Sequence, residues 1–114
     1  MNSEYNSEHR RLALMFLVHS FLYYQLGESI LGDSEYDKLS VKLKKVIETD
    51  KNIPHYDIIK NALGDEASGY SIPTKAYPQE IISTALHLLY QEQYKDKVSL
   101  NDFLKSYGYH GVTQ

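Results

Sequence analysis

Asp33, Tyr36 and Asp37 stand at i, i+3 and i+4, which places all three on one face of a helix's first turn. Tyr23 and Tyr24 precede them across the run Gln25 to Gly32. If that run is a tight connection between two helices, two aromatic rings and two carboxylates converge on one spot. Such a set suits a flat cationic ligand: rings stack on its faces, and carboxylates accept hydrogen bonds from hydroxyls or an amide. A purely structural account competes with this one. Acidic residues at a helix N-terminus complement the macrodipole. Ser34 with Asp37 three residues on is a capping-box pattern, and Tyr23 with Tyr36 can simply staple two antiparallel helices.

The elements that must bring these residues together are helical. Helix A is expected from Ser7 to Leu26, closed by Gly27. Its middle, Leu12 to Tyr24, is apolar nearly all round, whereas a surface helix shows one apolar stripe. Helix A is therefore either the central helix of the core or half of a homodimer seam. Helix B is expected from Asp33 or Ser34 to Thr49, with Leu39, Leu43, Val46 and Ile47 inward and Lys38, Lys42 and Lys45 on a solvated face. A short helix from His55 to Leu63 should stop at Gly64. An irregular run from Gly64 to Tyr77 comes next, then a helix from Pro78 to Tyr94. Ser99-Leu-Asn-Asp reads as a capping box opening a last helix to Tyr107, closed by Gly108. The expected fold is all-α with about five helices. One domain covers 1–114: a helical hairpin over 7–49 and additional helices over 52–114.

Composition narrows the function. The chain has 114 residues and a net charge of −3, too few and too diluted basic residues for a dedicated nucleic-acid binder. It has no cysteine, which excludes disulfides, thiolate metal sites and cysteine nucleophiles. The 11 tyrosines, against no tryptophan, favour interfaces and ligand pockets. No run reaches the 18 or so apolar residues of a membrane span, so a soluble cytoplasmic protein is expected. His9, His19, His55, His87 and His110 show no metal-ligand spacing, so no metal is expected. His19 and His87 read as satisfied core or interface histidines. No P-loop, GxGxxG or nucleophile elbow occurs, and no catalytic residue is assigned.

The string Asp33-Ser-Glu-Tyr-Asp-Lys-Leu39, preceded by Tyr23, Tyr24 and Ile30, resembles the N-terminal Ia domain of the bacterial NAD-dependent DNA ligases. The resemblance runs from Glu8 to Glu48. It implies a helix–loop–helix that recognises the nicotinamide mononucleotide half of NAD. By resemblance, Tyr23 and Tyr36 stack on the nicotinamide, while Asp33 and Asp37 bond the ribose and amide region. Tyr24 stands where the family often carries a phosphate-contacting histidine, and Ser29 where it usually has proline. The family's Lys-x-Asp-Gly adenylation motif is absent; Lys75, in Thr-Lys-Ala-Tyr, does not match it. The expectation is thus a stand-alone ligase-related protein, similar to a phage-associated group, that does not seal DNA by itself.

Two functions are expected on these grounds. The first is a non-catalytic module that binds NAD or nicotinamide mononucleotide through Tyr23, Tyr24, Asp33, Tyr36 and Asp37. Two stacking contacts at about 0.5–2 kcal/mol each and two charge-assisted hydrogen bonds at about 1.5–3 kcal/mol each are offset by several kcal/mol of lost ligand freedom. The balance, about −4 kcal/mol, is millimolar affinity. The second is a phage-type interaction module that docks on a host protein in the host cytoplasm, with the hairpin as scaffold. An NAD hydrolase would have only Asp33 or Asp37 as its acid or base, so no enzyme activity is expected.

Overall fold

A computed structural model describes residues 6–63 and 72–108 of the chain. The expected stop at Gly64, residues 64–71 of the irregular run, and His110 lie outside that range. Among the described residues the fold is all-α, with no strand.

Helix α1, Ser7–Ser20, starts where the Asn6 side chain accepts hydrogen bonds from the Glu8 and His9 amides. It runs on into a π-helical turn, Phe21–Gln25, and stops at Gly27, whose φ of +70° suits glycine. Helix α2 is Asp33–Val46; the expected last residues, up to Thr49, form turns instead. Helix α3, Tyr56–Leu63, comes after His55, a left-handed residue at φ 58° that is held by a 2.8 Å contact to Glu80. A 3₁₀ turn, Thr74–Ala76, leads to α4, Gln79–Leu89. Pro78 caps α4 rather than opening it, because its ψ of 148° is extended. A second π turn, Tyr90–Tyr94, ends that arm. Helix α5, Leu100–Ser106, begins at Ser99, whose hydroxyl accepts from the Asp102 amide at 3.1 Å. Gly108, at φ +80°, closes it.

Helix α1 is the central helix. It packs on α2 and α4, and Ala13, Phe16, Leu17 and Leu22 are wholly buried by the chain itself. The expectation of a central helix is thereby met. Leu43 of α2, Ile59 of α3, Leu86 and Leu89 of α4 and Leu104 of α5 complete the core. Each such side chain contributes about 1.5–3 kcal/mol of burial free energy. Three polar ties fasten the periphery. His9 Nδ1 meets Asp50 Oδ2 at 2.7 Å, joining the start of α1 to the end of α2. That bond, with another from the Asn52 amide, holds the Asp50 carboxyl below the usual carboxylate range. The Thr74 hydroxyl donates to Gln25 Oε1 at 2.6 Å, binding the 3₁₀ turn to the π turn. The third is the His55–Glu80 contact above.

Candidate functional site

The site forms where α1 ends and α2 begins. An α-helical turn here would continue the i→i−4 bonding of α1. The π turn instead takes one extra residue per turn, which shifts the phase of the succeeding residues by roughly a quarter turn. The result is that Tyr23 and Tyr24 sit edge to face, with centroids 4.7 Å apart at 79°. Tyr24 in turn meets Tyr36 of α2 at 6.4 Å and 70°. Tyr36 is the anchored member. Its ring stacks on Phe16, 5.8 Å away at 19°, and its hydroxyl shares a 2.7 Å hydrogen bond with the wholly buried Ser20. Tyr23 is the exposed member, with 44% of its surface open.

All five residues singled out in the sequence line one open hollow, together with Ser40 and Leu63. Its volume of about 390 Å³ lies within the range of small-molecule sites. Asp33 and Glu35 lie in the first turn of α2, where they complement the helix dipole, but no side chain caps the helix. The N-cap of α2 is Gly32, and it makes no side-chain capping bond; the Tyr36 amide bonds back to the Gly32 carbonyl at 2.9 Å. The expected Ser34–Asp37 box does not form because α2 starts at Asp33, two residues before the Glu35 start that Ser34 as cap would need. Neither Asp33 nor Asp37 has an ion pair or side-chain hydrogen bond among the described residues. Both remain exposed at the hollow's rim.

A smaller cleft opens from the same residues. It has room for about 20 Å³ and is lined by Tyr23, Asp33 and Tyr36 from the first hollow and by His19, Glu28, Ser29, Ile30 and Leu31. That space holds one water or one small polar group. His19 is the inward wall. It is only 9% exposed, and its ring has no hydrogen-bond partner among the described residues. Burial lowers its pKa below the ordinary 6.5, so the ring faces the cleft as neutral imidazole. The expected core position holds for His19, though its ring makes no hydrogen bond among the described residues, whereas His87 Nδ1 bonds the Ser83 carbonyl oxygen at 2.7 Å.

Two more polar groups lie beneath the rings. Ser40 Oγ and Tyr77 Oη are buried without hydrogen-bond partners among the described residues. Tyr77 packs edge-on against Phe21 at 5.2 Å. Its own burial, and then the nearby Tyr36 and Tyr24 hydroxyls, push its ionisation well above that of an ordinary phenol. Sequence reasoning missed Ser40, Leu63, Glu28 and the role of His19. Ser40 alone carried a legible signal, since it continues the Asp33, Tyr36, Asp37 face by helical spacing. Among the described residues no group of His, Asp and Glu is arranged to hold a metal ion, and no helix is long and apolar enough to cross a membrane.

No family model, curated protein or solved structure matches the chain.

Proposed function

We propose that this chain is a non-catalytic module that recognises the nicotinamide mononucleotide half of NAD, as the resemblance to the ligase Ia domain implies. The observation that carries the reading is the convergence of Tyr23, Tyr24, Asp33, Tyr36 and Asp37 on one hollow with both aspartates unpaired among the described residues. The tyrosine faces supply a cation–π surface for the pyridinium. The aspartates are acceptors for ribose hydroxyls and the carboxamide. A bound nicotinamide would engage two carboxylates that make no ion pair or side-chain hydrogen bond among the described residues. With no adenylation motif in the chain, the module binds and does not seal, and it acts as a sensor or completes another protein's site.

The test is a two-dimensional amide NMR titration with NAD and nicotinamide mononucleotide up to several millimolar. Saturable shifts should cluster at Tyr23 and from Asp33 to Asp37. Tyr23→Ala and Asp37→Ala change exposed residues, so they should abolish the shifts and keep a folded spectrum. Two variants that bind like the parent would remove the assignment.

A second reading rests on α2's outer face. Val41 is 59% exposed in a shallow hollow of about 370 Å³ bordered by Asp37, Lys38, Lys42 and Lys45. In this reading the protein is a phage-type interaction module, and that face docks on a host protein. Such a partner would co-purify without nucleotide and be lost on Val41→Glu.

A further inference from the structure

Resting on the nicotinamide reading of the site, we infer that the hollow selects the unphosphorylated cation, the nicotinamide nucleoside, over its 5′-phosphorylated forms, with His19 receiving the carboxamide. Three observations carry this. The hollow and its cleft are lined by three carboxylates, Glu28, Asp33 and Asp37, and by no lysine or arginine among the described residues. Lys38, Lys42 and Lys45 of α2 line neighbouring hollows, one sharing only Asp37 with this one and the other, which also holds Arg11, sharing only Leu31 with the cleft. And His19, nine-tenths buried, turns an unpartnered imidazole into a cleft the size of one small polar group.

The nucleoside carries one positive charge and no negative one. Its pyridinium gains from the tyrosine faces and from the carboxylates together. A 5′-phosphate adds about −1.5 to −2 charge and brings it toward three like charges. Tyr24 adds no compensating cation, because its side chain is a neutral phenol. In the cleft, neutral imidazole offers one donor and one acceptor, the complement of a carboxamide's acceptor and donor. The imidazole makes no hydrogen bond among the described residues, and the ligand's amide would supply one at the mouth of the cleft. A carboxylate in its place would face Asp33 and Glu28 and be refused.

The experiment compares nicotinamide riboside, nicotinamide mononucleotide and N-methylpyridinium by NMR titration of the full chain at matched ionic strength. The riboside should bind at least about tenfold tighter than the mononucleotide, and added salt should narrow that gap. Glu28→Gln should narrow it too. His19→Gln and His19→Phe should both weaken the riboside while leaving N-methylpyridinium, which has no carboxamide, unchanged. Equal or tighter binding of the mononucleotide would mean the phosphate finds a cation such as Lys38 across Asp37. That result overturns this inference and leaves the nicotinamide reading standing. Silence from riboside and mononucleotide alike would remove both.

Discussion

Tyr36→Phe separates what the site's central ring does for the fold from what it does for a ligand. The phenylalanine keeps the ring that stacks on Phe16 at 5.8 Å and deletes only the hydroxyl bonded to Ser20 at 2.7 Å. Ser20 is wholly buried, so its hydroxyl loses its side-chain partner without gaining water. Leaving a buried hydroxyl unsatisfied costs about 1–3 kcal/mol. Ser20 lies in a helix and can turn back to the carbonyl four residues earlier, which puts the expected loss in the lower half, about 1–2 kcal/mol. At about 4–8 °C per kcal/mol for a domain near this size, the melting temperature should fall by about 4–16 °C. Ser20→Ala should cost less, about 0.5–1.5 kcal/mol, because the half-buried Tyr36 hydroxyl can turn toward water. The double variant should lie close to Ser20→Ala alone, since removing both partners leaves nothing orphaned. Urea unfolding of the four proteins measures the cycle. Riboside affinity should stay within about twofold in Tyr36→Phe, as the stacking face is intact. A single-variant loss below about 0.5 kcal/mol, or a double variant equal to the sum of the singles, would refute the assignment of Ser20–Tyr36 as a buried bond holding the ring.

Other outcomes rest on the same geometry. Above pH 6.5 His19 is neutral in folded and unfolded chains alike. As the pH falls through 6.5 toward its lowered folded value, the unfolded chain takes up a proton that the folded one refuses, so stability declines. His19→Gln should flatten the melting temperature between about pH 7.5 and 5, and an unchanged slope would assign the effect elsewhere. Gly27→Ala should destabilise by about 1 kcal/mol in the same urea assay. A Cβ there meets nothing within 4 Å, so the whole cost is the φ of +70°. Incubation with NAD labelled in its adenylate should leave no AMP on the chain. A labelled lysine would reveal an adenylation site that the absent motif argues against.

Much of the architecture was legible because its signals are local. Gly27 and Gly108 stop helices through their own backbone preference, and Ser99 caps one through its own hydroxyl. The apolar middle of α1 pointed to either a central helix or an oligomer seam, and the Asp33, Tyr36, Asp37 spacing placed those residues on one face. The illegible parts depend on what is not local. The π turn at Phe21–Gln25 changes hydrogen-bond register without any compositional mark, yet it sets how Tyr23 and Tyr24 meet Tyr36. The Ser34–Asp37 box looked sound by pattern and lost to Gly32 by a small shift in where α2 begins. His19 had the surroundings of a satisfied core histidine. Only the tertiary arrangement of the connection over its ring shows a cleft where a partner would be.

The π turn also makes the site depend on chain length more than on residue identity. Deleting Gln25 would let the α-helical register run on, turn the chain beyond the deletion by about 100° relative to α1, and remove the anchor for Thr74. The core would survive, since Phe16, Leu17 and Leu22 lie at or before the turn, and every residue that lines the hollow would still be in the chain. A one-codon deletion would thus change how the tyrosine pair meets Tyr36 without removing any residue that lines the hollow.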